Sequence, residues 1–422
     1  MTDIVVDGLT IERLGAGGDG IARHDGKPVY VPFTVPRDRV RVALGAARAG
    51  GHEGRVLARL SDGPGRAVPP CPRFGTCGGC ALQHLALDRY AAFKRDLVVE
   101  ALARRGLCAV AVAPLVDAAS PRRRVRFAMV RDGRAGRVGF RPRFGRSVVA
   151  LDGCVVVEPA LLALTQPLAA LANELAAWTG VGEATATETT TGVDLVLHHP
   201  AELDLAARTR LAAFATTHDL ARLSWQVGDG APEPVAERRP PVVVLGGVPV
   251  TLPPGAFLQA SAAAEDAIGA LVLGALGSAK RVADLYAGVG TWTFRLAARA
   301  RVRAVEGDAA HARALARAAA AAGLAGRVEG EARDLARRPL EGPELRRVDA
   351  VVLNPPRAGA AAVAEALARS AVPTVIAISC NPATFARDTR LLVDGGYALD
   401  AVTPVDQFRH TPHVELVGVF RR

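Results

Sequence analysis

Cys380 and Glu415 are the residues whose setting best suits covalent chemistry. Cys380 stands in AISCNPATF, directly after a strand-like apolar run, where an exposed turn can offer its sulfur to a bound base if the thiolate is favoured locally. A cysteine after a strand is more often packed. The Asn-Pro that follows, and the NPPR turn one strand earlier, weigh the other way. Glu415, in HTPHVELVGVF, follows two histidines and a proline and precedes a strand that would anchor it, which suits a carboxylate that removes a proton. An edge-strand glutamate facing solvent is the blander reading. His410 and His413 are further bases, although a neighbouring histidine is often a hydrogen-bonded support.

A second group of residues has the spacing of a cofactor site. RVADLYAGVGTWTF reads as a strand ending at Asp284 to Tyr286, a glycine turn at Gly288 and Gly290, and a helix start. It is not the dinucleotide fingerprint, because Thr293 stands where the third glycine would be. Glu306 closes the next strand, where a carboxylate can accept the hydroxyl protons of a ribose. Asp334 in EARDL and Asn354 in VVLNPPR follow at later strand ends. Four successive strand ends carrying such groups favour S-adenosylmethionine over a nicotinamide cofactor.

Six cysteines occur, at 71, 77, 80, 108, 154 and 380. In a cytosolic chain these are better ligands or nucleophiles than disulfides. Cys71, Cys77 and Cys80, in CPRFGTCGGC, have a spacing that lets three thiolates converge, and Cys154 in LDGCVVVEP is the fourth candidate. Four thiolates serve zinc and an iron–sulfur cluster alike, and spacing alone leaves zinc slightly ahead. Cys108, in LARRGLCAVAV, is expected to be a buried small apolar residue.

These groups must be positioned by more than one core, since 422 residues exceed what one usually supports. An apolar fraction of 50% against 22% charged residues excludes a disordered chain. Residues 1–62 alternate short β-like runs with GAGGDG and HDGK turns, the pattern of a small β-barrel, and SDGPGRAVPPCP breaks regular structure after it. Residues 63–250 carry the cysteines and an α+β insert. Residues 251–422 alternate apolar strands with alanine-rich helices, the sign of a doubly wound α/β sheet. The net charge of +10 favours a polyanionic partner, although only Lys27, Lys94 and Lys280 are lysines, and an arginine excess also follows from a GC-rich genome. The stretch from 121 to 147, with ten arginines and one acid, is the expected nucleic-acid face. No long apolar span and no leader-like start are evident, so the expected location is the cytoplasm, away from membranes.

Taken together these motifs resemble the RNA uracil-5-methyltransferases, most closely the branch acting on 23S ribosomal RNA that carries a TRAM domain and a [4Fe-4S] cluster. GAGGDGIARHDGKPVYVPFTVPRDRVRV looks like the TRAM (OB-like) β-barrel of that branch, and CPRFGTCGGCALQH like its cluster segment. FLQAS resembles the family's F-x-Q-x-N, DLYAGVGTWTF its glycine motif, SCNPATF its nucleophile motif and HVELV its base motif. The resemblance implies a Rossmann-like S-adenosylmethionine-dependent methyltransferase domain, a TRAM barrel and an α+β iron–sulfur central domain. It implies Cys380 as nucleophile toward uracil C6 and Glu415 as the base that takes the C5 proton. It places Gln259, Tyr286, Gly288, Gly290, Thr291, Glu306, Asp334 and Asn354 at the methyl donor, and Cys71, Cys77, Cys80 and Cys154 on the cluster. RNA is the implied partner and a monomer the expected state. Three positions depart from the family: Asn354 replaces Asp before PPR, Ser261 replaces Asn after Gln259, and Thr291 replaces a common Asn. An N-methyltransferase is disfavoured because Arg357 replaces the aromatic of its NPP signature, and a cytosine-5-methyltransferase because Ser379, not proline, precedes the cysteine. A tRNA-directed uracil-5-methyltransferase shares these motifs, and a non-catalytic iron–sulfur RNA-binding protein that has kept the fold would share the cysteines and the charge.

Overall fold

The computed structural model describes residues 4–133, 135–145 and 147–422. The chain begins with β1 (Ile4–Thr10), β2 (Arg13–Leu14), β3 (Gly20–His24), β4 (Lys27–Val31), β5 (Arg39–Arg48) and β6 (Gly51–Ser61), forming one sheet in the order β1-β5-β6-β4-β3-β2. HDGK makes a two-residue hairpin in which His24 pairs with Lys27, and Asp25 and Gly26 take φ of 49° and 73°. Two positive φ values match the twist of the strands, which is why Asp-Gly is favoured there. Alternation along the strands buries Leu9, Ala22, Val29, Val31, Val40 and Val42 in a core of its own.

An irregular segment bearing Cys71, Cys77 and Cys80 leads to α1 (Leu87–Ala103). The central sheet contains β7 (Arg124–Asp132) and β8 (Ala135–Gly139), then, after α2 (Pro159–Leu162) and α3 (Thr165–Glu174), β9 (Gly180–Thr189) and β10 (Gly192–His199). After α4 (Leu205–Thr217) come β11 (Arg222–Val227) and β12 (Glu233–Glu237), giving the order β12-β11-β10-β9-β7-β8. A hairpin follows, β13 (Val242–Leu245) and β14 (Val248–Thr251).

The last sheet is preceded by α5 (Ala262–Ala275) and built from β15 (Arg281–Leu285), β16 (Arg301–Glu306), β17 (Val328–Ala332), β18 (Ala350–Leu353), β19 (Thr374–Ser379), β20 (Ala398–Val405) and β21 (Glu415–Arg421). Its helices are α6 (Thr293–Ala297), α7 (Ala309–Ala321), α8 (Ala361–Ala368) and α9 (Pro382–Asp394). The strand order is β17-β16-β15-β18-β19-β21-β20, parallel from β17 to β19, with β21 returning antiparallel beside β19. Both faces are covered, which explains the unbroken apolar strands. Val282, Val302, Val352 and Ile376 join the core with α5, α6 and α7, while their neighbours Ala283, Val351 and Val375 join α8 and α9.

Packing is interleaved relative to the segments at 1–62, 63–250 and 251–422. Val98 and Leu102 of α1, with Leu107 and Val112 after it, lie in the core of the last sheet, and Val112 and Val116 bridge to Val402 and Val405 of β20. The hairpin residues Val243, Leu245, Val248 and Val250 pack into the core on the other face of that sheet, with α5, α6 and α7. Among the described residues no helix is long and apolar enough to cross a membrane.

Candidate active site

Every residue of β19 is buried, so the chain emerges from the sheet at a fixed point and Cys380 is the next residue. Asn381 then caps α9, accepting from Ala383 N at 3.1 Å while its amide donates to Arg357 O at 2.9 Å. Thr384 Oγ1 donates to the same carbonyl at 3.2 Å. The NPPR turn is thereby fastened to the helix start, and the partial positive end of α9 lies beside the sulfur, where it favours a thiolate.

Glu415 reaches the same place from the antiparallel strand. Ser379 pairs with Leu416, so one further step of the register sets Cys380 opposite Glu415. The strand lies between β19 and β20, and Glu415 is only 2% exposed, so it is not a solvent-facing edge residue. Burial pushes its carboxyl up to about 8. Burial also pushes the Cys380 thiol up, the Glu415 charge adds to this, and Arg357 opposes it. Gln407 Nε2 donates to Glu415 Oε2 at 3.2 Å.

The loop from 406 to 414 is held from two sides. Asp406 forms an ion pair with Lys94 of α1, both fully enclosed, and accepts from Tyr90 Oη at 2.8 Å. Lys94 Nζ also donates to Phe408 O at 3.0 Å. His410, at φ 62°, offers its carbonyl to Ala81 N and Leu82 N at 2.8 and 3.0 Å, joining the cysteine segment to the loop that leads into Glu415. Burial lowers His410 to about 4 and His413 below the usual histidine value, which favours the neutral ring in each. Sequence reading missed Gln407, Tyr90, Lys94 and Asp406. The scarcity of lysine was the one signal that marked Lys94.

The glycine loop read from the sequence as the cofactor site lies where β15 borders both β16 and β18, the point at which strand order reverses and open α/β sheets bind ligands. Tyr286 and Gly288 take φ of 61° and 59°, and a Cβ on Gly288 would meet nothing within 4 Å, leaving open approach to the backbone. Glu306 accepts from Gly288 N and Asp308 N, both at 2.8 Å. Tyr286 is pushed up to about 12 by burial, then by the charges of Asp388, Asp334 and Glu306. Asp334 is exposed and accepts from Ala336 N at 3.0 Å. Asn354 N donates to Leu285 O at 3.2 Å, setting its turn beside the loop. Gln259 is buried with Oε1 unpartnered. Ser261 accepts from Ala264 N at 3.2 Å and caps α5, a local task that the FLQAS motif did not reveal. Thr291 is buried in the turn. Asp284, expected at the open strand end, is fully enclosed instead. Thr293 Oγ1 donates to it at 2.6 Å, and burial with the nearby Glu306 charge pushes it up to about 7 against that bond.

Gly290 has φ 105°, and an added Cβ would lie 2.4 Å from the Phe294 ring. Gly290→Ala is expected to cost roughly 1–3 kcal/mol through backbone strain and overpacking. Calorimetry should show a lower Tm together with weakened S-adenosylmethionine binding.

Cys71, Cys77, Cys80 and Cys154 line one small cavity with Phe74, Gln83, Phe140 and Leu151. Burial raises Cys77 and takes Cys80 to about 11, and each of these two thiols feels Cys154. Gly79 N donates to Cys77 Sγ at 3.4 Å. Among the described residues no three His, Cys, Asp or Glu side chains converge as a ready metal-binding group. Cys108, expected to be buried, is exposed: α1 ends just before it and Leu107 takes the inward position.

The arginines from 121 to 147 do not form one solvated face. Arg123 pairs with Glu265 and donates to Gln259 O at 3.1 Å, Arg124 is half-buried, and Arg131 donates to Leu175 O at 2.9 Å. Charge composition could not separate these structural arginines from the exposed Arg126 and Arg137. Arg134 and Arg146 lie outside the described residues.

An enclosed sheet whose strand ends gather a glycine turn, acids, a cysteine and a buried glutamate is the arrangement of an S-adenosylmethionine-dependent methyltransferase. Residues 253–422 match the family described as tRNA (Uracil-5-)-methyltransferase. The chain is 43% identical over 424 residues to an uncharacterized RNA methyltransferase of Brucella suis, covering 100% of this chain and 99% of that protein. It is 38% identical over 437 residues to the 23S rRNA (uracil(1939)-C(5))-methyltransferase RlmD of Chromohalobacter salexigens, covering 100% of this chain and 90% of the relative. The fold is that of the Pyrococcus abyssi tRNA (uracil-54, C5)-methyltransferase solved with S-adenosyl-L-homocysteine, with TM-score 0.74, 23% identity, and 97% and 98% of the two chains covered. The chain belongs to the RNA uracil-5-methyltransferase family.

Proposed function

We propose that the protein methylates C5 of a uridine in ribosomal RNA by way of a temporary bond between Cys380 and uracil C6. The observation that carries the reading is the pairing of Ser379 with Leu416, which leaves Cys380 and the buried Glu415 one step further along the same pair of strands. Uracil C5 is a weak nucleophile, and addition of sulfur at C6 gives C5 enolate character. S-adenosylmethionine supplies an electrophilic methyl group. Tyr286, Gly288, Gly290, Thr291, Glu306, Asp334, Asn354 and Gln259 are the residues proposed to hold it, Gln259 through its unpartnered Oε1. Cys380 attacks C6, and Glu415 then takes the C5 proton so that the sulfur can leave. Ribosomal RNA is preferred because the relative whose name states such a substrate is 38% identical along the whole chain. RNA carrying 5-fluorouridine, mixed with the methyl donor and the protein, is expected to give a methylated protein–RNA adduct that survives denaturing electrophoresis; absence of any adduct overturns the reading.

Residues 1–62 are proposed to be a TRAM barrel that docks the RNA, 63–250 an iron–sulfur and central RNA-binding unit, and 251–422 the catalytic unit. The target base would leave its loop to reach Cys380, at a cost of a few kcal/mol. Cys71, Cys77, Cys80 and Cys154 would hold a [4Fe-4S] cluster, supported by the single cavity they line and by the Gly79 N–H directed at Cys77 Sγ. Such a cluster would be structural or would help to position RNA. Anaerobically purified protein is expected to be brown with bound iron and sulfide. Cys77→Ser should lose both, and a colourless, zinc-loaded wild type would count against the cluster.

A further inference from the structure

Gln407 is 3% exposed and follows Asp406 in the loop before Glu415. Its amide makes one side-chain hydrogen bond among the described residues, Nε2 to Glu415 Oε2 at 3.2 Å, while Oε1 has no partner. The Glu415 carboxyl receives no other hydrogen bond among the described residues. Buried amides kept for structural reasons usually have both ends satisfied. Here the satisfied end is the one on the carboxylate. The backbone around it is fixed, because Asp406 N donates to Val116 O at 2.9 Å, Gln407 N to Val405 O at 3.1 Å, and the Asp406 carboxylate is held by Lys94 and Tyr90. The freedom that Gln407 removes is therefore rotation of the Glu415 carboxyl about its own side-chain bonds.

We infer that Gln407 is a positioning residue that orients Glu415 for removal of the C5 proton. The inference rests on Glu415 being the base of the covalent route. In that step the C5–H proton passes to a Glu415 oxygen and the C–H electron pair becomes the C5–C6 double bond. The C6–S bond breaks, and its pair leaves on the Cys380 sulfur. Gln407 has no part in forming the C6–S bond or in methyl transfer, so its loss should slow only the later half of the cycle.

The full chain is tested as wild type, Gln407→Met and Glu415→Gln, on one unmodified ribosomal RNA fragment made with uridine or with 5-fluorouridine and labelled methyl donor. Gln407→Met is expected to form the 5-fluorouridine adduct at the wild-type rate, since that adduct needs no proton removal. On uridine it should accumulate a methylated, denaturant-stable adduct and turn over about 10–100-fold more slowly. Glu415→Gln should trap the same species more completely. If Glu415→Gln traps nothing, the assignment of the base fails and the inference falls with it. If Glu415→Gln traps adduct while Gln407→Met releases product at the wild-type rate, or slows both RNAs equally, the positioning role alone is overturned. Should Gln407→Met fail to fold, Gln407→Asn, whose shorter amide falls short of Glu415, is read by the same partition.

Discussion

Cys380→Ser is expected to abolish turnover, lowering methyl transfer to RNA by about 10,000-fold or more, with no adduct on 5-fluorouridine RNA. Serine keeps the position after β19 and the cap of α9, so the fold should be retained. What is lost is the sulfur's ability to ionise and to add to a ring carbon, because a hydroxyl is far harder to deprotonate. The free thiol is already held above its usual value by burial and by Glu415, with Arg357 opposing them. The serine variant should still bind S-adenosylmethionine with unchanged Kd, which separates chemistry from folding. A denaturant-stable adduct that persists in this variant would remove Cys380 from the mechanism.

Glu415→Gln should divide the reaction differently. Methyl transfer from the donor is expected to proceed through a single turnover, and the methylated RNA should remain bound to the protein, with steady-state turnover reduced about 1,000-fold. The amide fills the same space and keeps a contact with Gln407, but it cannot take a proton. The wild type should also show a characteristic pH dependence. Burial raises Glu415 to about 8, so at neutral pH the carboxyl is mostly protonated, and product release should accelerate as pH rises through that value. Stability moves the opposite way. The folded state holds this proton more tightly than the unfolded chain, so the stability it confers is complete below the ordinary glutamate value and is lost as pH rises toward about 8. Thermal unfolding across that window should fall more steeply for the wild type than for Glu415→Gln. A flat release rate from pH 6 to 9 would contradict Glu415 as the base.

The same loop shows why its parts were unequally readable. Glu415 carries a recognisable local context, two histidines and a proline before an apolar strand. Gln407 and Asp406 carry none, since their roles depend on what faces them across the fold: Glu415 in one case, Lys94 and Tyr90 in the other. Lys94 lies 312 residues from Asp406 along the chain, and no local pattern reports such a pairing.

The amino-acid sequence by itself determined the elements with short-range causes. The Asp-Gly hairpin follows from two positive φ values, the glycine turn after β15 from the need for open backbone, and the alternation of apolar strands with helices from burial on both sheet faces. Cys380 and the glycine turn, the residues proposed to carry the chemistry, are likewise written as contiguous motifs. Only the tertiary structure decided which of them meet. The antiparallel return of β21 brings Glu415 opposite Cys380, α1 joins a core far from its place in the chain, and Arg123 turns inward to Glu265 rather than outward. Strand order and burial are set by contacts between distant segments, so a charge or a thiol reads the same in the sequence whether it will face solvent, a cavity or a partner.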